Sequence, residues 1–263
     1  MAHHHHHHMI LKNFSDEFQD KLVLITGGSG QIGSELVESY LSVSARVICL
    51  DPEQPSVDYK SNRFEWIQAD ITNRKEIKEI FLSLENQNKI PDILINCAGI
   101  SVFTPFEDRT DEEFNEVVHV NLNGTFLLSQ YTFRLWKEKG KKGIILNFGS
   151  IYGVSIADMR IYGDSGRNSP EVYAMTKAGI IHFTKYLARY AAPYGIRVNC
   201  ISPGGIFANQ SSDFIQNYIY KTPLGRMGNP SDLVGGVFFL TSSLSEYVTG
   251  QNLLIDGGFT IGD

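Results

Sequence analysis

The sequence predicts an α/β fold in which a doubly wound parallel sheet of seven strands carries helices on both faces. Two observations lead to this prediction. Short apolar runs alternate with longer amphipathic segments along nearly the whole chain, which is typical of repeated strand–helix units. The runs are also apolar almost throughout, as expected for parallel strands that are covered on both faces. Because crossovers between parallel strands are right-handed, we expect a single domain with strand order 3-2-1-4-5-6-7.

The first half of the chain gives a distinct signal for each element. The first strand runs into a cluster of glycines, the second ends before Asp51, and the third alternates apolar and polar residues. The helix after the first strand has one apolar face, and we expect Thr72 to cap the next helix. The predicted bounds are strands at residues 21–26, 45–50 and 64–70, a helix at 31–42, a polar lead-in at 10–20 and a loop at 52–63.

The second half repeats this pattern with longer helices. Two of them carry apolar residues around much of their circumference, which is typical of helices that bury a second face. Residues 151–170 are predicted to be irregular, and residues 203–229 to form a loop with short helices. The other predicted elements are strands at residues 92–99, 144–148, 196–201 and 252–255, and helices at 111–138, 171–192 and 229–243.

Length, composition and charge narrow the class of protein. The chain has 263 residues. We interpret residues 1–8 as an expression tag and Met9 as the native start, and we expect residues 9–263 to form the one domain. The formal net charge of −6 argues against a nucleic acid or an anionic membrane as partner. No apolar run is long enough to span a membrane, and we expect no signal peptide.

The cysteines indicate a reducing compartment. Cys49, Cys97 and Cys200 all lie in apolar runs, so we expect buried, reduced thiols and a cytoplasmic protein. Their spacing matches no metal-ligand pattern, and we therefore expect no metal site.

A glycine-rich turn joins the first strand to the first helix. Gly28, Gly30 and Gly33 fit the spacing G-x-G-x-x-G, which is found in dinucleotide-binding turns. Glycine is needed there because the turn is tight, the backbone approaches a pyrophosphate, and the helix packs closely on the strand. The N-terminus of the helix offers unpaired N–H groups and a positive dipole end to the phosphates. The turn therefore predicts a Rossmann-type dinucleotide site.

Asp51 indicates which dinucleotide is bound. It follows the second strand, where the adenosine ribose is expected to lie, and its carboxylate can accept hydrogen bonds from both ribose hydroxyls. The same carboxylate repels a 2′-phosphate. No arginine or lysine occurs at Gly28 and Ser29 or immediately after Asp51 to receive that phosphate. The sequence therefore predicts NAD rather than NADP.

Ligands of such a sheet bind beyond the carboxyl ends of the strands. The residues that we expect to contact the dinucleotide there are Gly27, Ser29, Gly30, Gln31, Ile32, Gly33, Asp51, Asp70, Ile71, Asn96, Ala98, Gly99, Tyr173, Lys177, Pro203, Gly204 and Ile206.

Tyr173 and Lys177 are four residues apart on a predicted helix and therefore share a face. A phenol with an ordinary pKa near 10 is a poor base at neutral pH, but a nearby ammonium group and an oxidised nicotinamide ring favour the phenolate. Such a tyrosine can take a proton from a substrate hydroxyl or return it to a carbonyl. Ser150 closes the fifth strand at the same edge and can stabilise the substrate oxygen.

These residues and several further motifs resemble the short-chain dehydrogenase/reductase family, in its short single-domain form. Residues 96–99, Asn-Cys-Ala-Gly, are similar to the family signature Asn-Asn-Ala-Gly, with Cys97 in place of the second asparagine. Residues 121–124, Asn-Leu-Asn-Gly, resemble a segment whose first asparagine joins a proton relay. Residues 203–204, Pro-Gly, and 256–258, Asp-Gly-Gly, match as well. The resemblance covers nearly the whole chain after the tag.

The resemblance implies a fold, a chemistry and an assembly. It implies a Rossmann-fold dehydrogenase or reductase whose catalytic residues are Asn121, Ser150, Tyr173 and Lys177. It also implies a homo-oligomer, a tetramer or a dimer, built on the two long helices.

The sequence departs from the family pattern in two places. Gln31 occupies the position where the short form usually has its middle glycine, and this glycine spacing is more usual in the longer sugar-nucleotide branch. The segment between Ser150 and Tyr173 is also longer than the family norm, because residues 151–170 are inserted there. With residues 204–210, this insertion is weakly similar to bacterial sugar oxidoreductases that are linked to flagellin modification. The expected substrate-contacting residues are Ser150, Tyr152, Arg160, Arg167 and Gly205.

The sequence therefore predicts an NAD(H)-dependent enzyme that interconverts a secondary alcohol and a ketone with Tyr173 as acid and base. We expect a sugar, a phosphosugar or a nucleotide sugar as substrate. Three alternatives remain open. A 3-oxoacyl-type ketone reductase is the first. A sugar-nucleotide epimerase or dehydratase is the second, although the large C-terminal substrate domain of that branch is absent. A non-catalytic dinucleotide-binding scaffold is the third, although the complete catalytic set argues against it.

Overall fold

The computed structural model describes residues 13–262, so the predicted tag and the predicted start at Met9 lie outside the described residues. Within residues 13–262, seven strands form one parallel sheet in the order β3-β2-β1-β4-β5-β6-β7, which confirms the predicted fold class and strand order. The strands are β1 Leu22–Thr26, β2 Arg46–Asp51, β3 Phe64–Gln68, β4 Ile93–Asn96, β5 Ile144–Phe148, β6 Arg197–Pro203 and β7 Asn252–Ile255.

Helices cover both faces of the sheet. The α-helices within residues 13–262 are α1 Phe14–Phe18, α2 Gln31–Ser42, α3 Arg74–Asn86, α4 Asp111–Val118, α5 Thr125–Lys139, α6 Glu171–Ala191, α7 Ser212–Lys221 and α8 Val234–Thr241. Short 3₁₀ turns occupy Phe106–Asp108, Ile151–Gly153, Met159–Tyr162, Ala192–Tyr194, Pro230–Leu233 and Ser243–Ser245.

The pleat of the strands divides the core into two layers. In β1, Leu22 and Leu24 belong to the cluster formed with α3, α5 and α6. The alternate residues Val23 and Ile25 belong to the cluster formed with α1, α2 and α8. Successive side chains of a strand point to opposite faces, so a run of apolar residues is what a strand between two helical layers requires.

Several element boundaries differ from the sequence predictions. The lead-in at residues 10–20 contains the helix α1, whose Phe18 is buried against the second layer. Asn73, rather than Thr72, caps α3, because its side chain accepts the backbone N–H of Glu76. The Thr72 hydroxyl instead donates to Asp70. The predicted fourth strand ends earlier, at Asn96.

The predicted long helix at residues 111–138 is continuous but not regular. Between α4 and α5 the chain widens into a π-helical turn, His119–Gly124. Asn121 lies in this turn and is fully buried. Single π-turns inside α-helices are frequent at functional sites, and this one lies against the loop that follows β4.

Candidate active site

A cleft of about 1070 Å³ lies at the carboxyl edge of the sheet. Segments that follow β1, β2, β4, β5 and β6 line it together with one face of α6. The predicted dinucleotide-contacting residues that line it are Gly27, Gly30, Gln31, Ile32, Gly33, Asp51, Asp70, Ile71, Ala98, Gly99, Tyr173, Lys177, Pro203, Gly204 and Ile206. Ser150, Tyr152, Arg167 and Gly205, which were predicted to contact the substrate, line the same cleft.

The reason for a glycine differs from one position to the next in the turn after β1. Gly27 has a φ of +70°, and a Cβ on it would overlap the backbone of Ala98. A Cβ on Gly28 would overlap the Sγ of Cys49, and one on Gly33 would overlap the carbonyl oxygen of Gly27. At Gly30 the nearest protein atom to a Cβ is 3.4 Å away, so the fold itself tolerates a side chain there. The open cradle at Gly30, on the N-terminal side of α2, fits the close approach of a pyrophosphate.

Asp51 is held in place by backbone donors at the end of β2. Its side chain is 7% exposed and accepts the N–H of Ser29 at 3.1 Å and the N–H of Glu53 at 2.8 Å. Ser29 therefore positions the carboxylate and does not itself line the cleft. This arrangement leaves an oriented carboxylate at the place where an adenosine ribose fits.

Asn96 lies behind the cleft rather than on its wall. It is 3% exposed, and its Nδ2 donates to Ser129 and to Asn147. Its side-chain amide joins β4 to β5 and α5 and does not line the cleft, and its contact with the dinucleotide stays a prediction. Thr26, which the sequence analysis did not single out, does shape the wall. Its hydroxyl accepts the N–H groups of Cys97 and Ala98, each at 3.2 Å.

Ser150, Tyr173 and Lys177 all line the cleft. The Oγ of Ser150 accepts the backbone N–H of Tyr152 at 3.1 Å, which leaves the hydroxyl hydrogen available to a substrate oxygen. Lys177 is 5% exposed; its Nζ donates to the carbonyl of Phe148 at 3.1 Å and lies 5.4 Å from the centre of the Tyr173 ring. A phenol, a hydroxyl and an ammonium group thus converge on one end of the cleft.

Asn121 supports this set from behind. It exchanges two hydrogen bonds with the backbone of Ile100, and its Nδ2 also donates to the hydroxyl of Thr176 at 3.0 Å. Thr176 in turn donates to the carbonyl oxygen of Tyr173. Thr176 is fully buried, and sequence reasoning missed it, although its position three residues after Tyr173 places it on the same side of the helix.

The insertion at residues 151–170 contributes a wall of the cleft. Tyr152 and Tyr162 line the cavity. Burial raises the pKa of the Tyr152 phenol, and the neighbouring Tyr162 and Tyr218 raise it further. Tyr152 therefore stays a neutral hydrogen-bonding group at physiological pH.

The two arginines of the insertion differ in position. The Arg167 guanidinium lies 3.8 Å from the centre of the Phe103 ring, on the cavity wall. No carboxylate of residues 13–262 forms an ion pair with it. Arg160, by contrast, does not line the cleft, because Asp158 holds its guanidinium at the surface, where the side chain is 86% exposed. Lys221 of α7 pairs with the same carboxylate, so this cluster joins the insertion to α7.

No group of His, Cys, Asp and Glu in residues 13–262 is arranged to hold a metal ion. The helices of the same residues are all too short or too polar to cross a membrane.

Comparison with known proteins identifies the family. Residues 31–260 match the family model described as enoyl-(acyl carrier protein) reductase. The chain is 31% identical to the NAD-dependent glycerol dehydrogenase of Listeria innocua, over 96% of this chain and all of the relative. The chain belongs to the short-chain dehydrogenase/reductase family. The family and the fold predicted from the sequence are thereby confirmed.

The solved structures that resemble this one include a short-chain dehydrogenase and a 4-hydroxyisoleucine dehydrogenase. A short-chain dehydrogenase of Leptospira borgpetersenii, solved with bound NAD⁺, is 98% identical, has a TM-score of 0.93 and is matched over 97% of this chain and 99% of its own. A 4-hydroxyisoleucine dehydrogenase complexed with NADH and succinate is 32% identical, with a TM-score of 0.77 over 91% of this chain and all of its own.

Proposed function

We propose that this short-chain dehydrogenase/reductase interconverts a secondary alcohol and a ketone on a small hydroxylated substrate that carries an anionic group, with Tyr173 as acid and base. It is an NAD-dependent oxidoreductase, as the sequence predicts, and the glycine cradle and Asp51 fit this cofactor. When bound, NAD accepts the hydride or returns it. The observation that carries the proposal is the convergence of Ser150, Tyr173 and Lys177 on one end of the dinucleotide cleft.

The chemistry of the chain's own residues follows from their hydrogen bonds. In alcohol oxidation, Tyr173 takes the hydroxyl proton, while the unused hydrogen of Ser150 is donated to the substrate oxygen. The ammonium group of Lys177 stabilises negative charge on the phenol oxygen. Asn121 and Thr176 hold the backbone around Tyr173, and thus keep the phenol directed into the cleft. In ketone reduction the proton moves in the opposite direction.

The position of Arg167 favours an anionic substrate. Its guanidinium lies on the cavity wall, and no carboxylate of residues 13–262 forms an ion pair with it. Arginine binds carboxylate and phosphate in a fixed bidentate geometry. The related 4-hydroxyisoleucine dehydrogenase was solved with succinate, a dicarboxylate. A phosphosugar, a nucleotide sugar or a hydroxy acid therefore fits the wall better than an uncharged alcohol.

A ketone reductase acting on acyl thioesters is the second candidate. The 31% identity of this chain to the 3-oxoacyl-(acyl-carrier-protein) reductase of Escherichia coli, over 92% of this chain, favours it. Against it stand three bulky aromatic side chains that line the cleft, Tyr152 and Tyr162 of the insertion and Phe214 of α7, because a long acyl chain would have to pass them.

A substrate panel tests the proposal. Phosphosugars, nucleotide sugars, hydroxy acids, neutral polyols and 3-oxoacyl thioesters are supplied with the matching nicotinamide cofactor, and formation or loss of the reduced ring is followed by its near-ultraviolet absorbance. We expect turnover to be highest for an anionic hydroxylated compound. Preference for the thioesters would favour the second candidate, and isomerised sugar without net cofactor turnover would favour an epimerase.

We further propose a cytoplasmic homo-oligomer. The cysteines are free thiols, and burial raises the pKa of Cys97 to about 12.

Tyr186 and Tyr190 form a stacked pair on the exposed face of α6, which is suited to packing against a second copy. Light scattering coupled to gel filtration tests the assembly, and a monomeric mass would refute it.

A further inference from the structure

Gln31 is the first residue of α2 and stands where the family usually has a glycine. Its side-chain Nε2 donates a hydrogen bond to the main-chain oxygen of Phe207, at a distance of 2.6 Å. The glycine-rich turn after β1 is thereby joined to the segment after β6. Both segments border the cleft, because Gln31 and Ile206 both line it.

The segment of residues 205–210 is braced on its other side. The N–H of Phe207 donates to Gly228 at 2.8 Å, and the N–H of Gly228 donates to Gly205 at 2.9 Å. The side chain of Gln210 closes a local loop, accepting from Ala208 and donating to Ile206. The segment is therefore a preformed unit, and Gln31 supplies its hydrogen bond to the glycine-rich turn.

We propose that Gln31 is a latch that holds residues 205–210 across the phosphate end of the cleft and slows the release of the dinucleotide. A glycine at position 31 has no side chain to make this bond. With the bond formed, the two segments are tied together beside the place where the pyrophosphate fits, so a dinucleotide that leaves past this end must wait for the bond to break. One hydrogen bond of ordinary net strength changes such a rate by about fivefold. This inference concerns the cofactor and is independent of the substrate proposed above.

Two variants remove the donor of the bond. Gln31→Met keeps the length of the side chain but lacks the N–H, whereas Gln31→Gly removes the side chain altogether. Ser34→Ala is the matched control, since the Ser34 hydroxyl donates to the carbonyl of Gln31 within the same helix turn and does not cross the cleft. Phe207→Ala keeps the accepting carbonyl while removing the ring.

Two measurements test the latch. Release of NADH is followed by stopped-flow fluorescence after a chase with excess NAD, and amide hydrogen exchange of residues 205–210 is measured on the protein without cofactor. We expect both Gln31 variants to release NADH about fivefold faster and to exchange faster in this segment, whereas Ser34→Ala matches wild type in both. Phe207→Ala is expected to retain the wild-type release rate.

Unchanged NADH release in Gln31→Met and Gln31→Gly would overturn the latch, even if exchange is faster, because the bond would then only brace the fold. Equal acceleration by Phe207→Ala and Gln31→Met would also overturn it, since the ring rather than the bond would hold the cofactor.

Discussion

Asn121 and Ile100 exchange two hydrogen bonds across the floor of the active site. The N–H of Ile100 donates to Oδ1 of Asn121 at 2.8 Å, and Nδ2 of Asn121 donates to the carbonyl of Ile100 at 3.0 Å. The widened π-turn places the side-chain amide of Asn121 beside the backbone of Ile100, so that the amide bonds to both the N–H and the C=O of that residue. The loop after β4 and the π-turn are thereby fixed to each other, and the bond from Asn121 to Thr176 joins both to α6, which carries Tyr173.

Replacing Asn121 by leucine should damage both stability and turnover. The variant leaves the N–H and C=O of Ile100 without their partner, and we expect the free energy of unfolding to fall by about 2–4 kcal/mol. Turnover should fall as well, because Thr176 loses its donor. Asn123→Ala, two residues along the same turn, is the control. Denaturant unfolding and steady-state kinetics measure the effects, and wild-type behaviour of Asn121→Leu would show that the pairing is dispensable.

Tyr173→Phe should separate chemistry from binding. The hydroxyl is the only group lost, so we expect the fold and the affinity for NADH to persist while turnover falls by at least about 10²-fold, the scale of acid–base catalysis. Tyr186→Phe, on the exposed face of the same helix, provides the control. Turnover near the wild-type rate in Tyr173→Phe would remove this tyrosine from the mechanism.

Asp51→Ala should reduce the preference for NAD over NADP. Hydrogen bonds to a charged group are worth about 1.5–3 kcal/mol, so kcat/KM for NAD is expected to fall by about 10- to 100-fold. NADP should change little or improve, since the repulsion of its 2′-phosphate is removed. Asp58→Ala, an exposed carboxylate on the following loop, is the control. A variant that keeps its wild-type ratio of kcat/KM values would show that specificity is set elsewhere.

The two arginines of the insertion form a natural pair for testing substrate charge. Arg167→Ala should raise the KM of an anionic substrate by about tenfold or more and leave the KM for NAD unchanged. Arg160→Ala should leave both values unchanged, because Asp158 holds that guanidinium away from the cleft. If both variants have the wild-type KM for every active substrate, the insertion does not recognise charge.

The pH dependence of stability should report on Asp232. Its carboxylate pairs with Arg226 and accepts the N–H of Asn229. The Arg226 guanidinium and then this N–H lower the pKa of Asp232 to about 2. Since the folded-state pKa is depressed, the stabilisation is complete above the ordinary carboxyl range and is lost as the pH falls toward 2.

Asp232→Asn should therefore melt at a lower temperature than wild type at pH 7, and the difference should narrow below about pH 4. Thermal unfolding at a series of pH values checks this. A difference that is constant over the whole series would assign the effect of the variant to lost packing instead of lost charge.

The sequence was sufficient for the order of the strands and for most of the cleft. Strand runs and crossover handedness decide the topology, and residues that follow strands, such as Asp51 and Ser150, must then meet at one edge. The π-turn around Asn121 could not be foreseen, because an apolar stripe looks the same whether or not a helix widens by one residue. Arg160 could not be placed either, since its position depends on a carboxylate two residues before it on an irregular segment.

The partners of Gln31 and Thr176 escaped prediction for a related reason. Phe207 contributes a backbone oxygen, and any residue type can supply one, so no sequence pattern marks it. Thr176 acts through a neighbour's carbonyl and carries no signal of its own beyond its spacing. Side chains that bond to backbone atoms are therefore the part of this site that required coordinates.

The order of the strands also has a cost for the nascent chain. β1 lies inside the sheet and pairs with the central strand β4, so Leu22 meets Asp92 only after a separation of 70 residues. Closing such a loop is entropically costly, and parallel sheets built on distant contacts fold slowly. Until β4 arrives, one edge of β1 is unpaired and apolar, which favours association between chains. Refolding yield from denaturant should accordingly fall as protein concentration rises, and dilution or a chaperone should restore it.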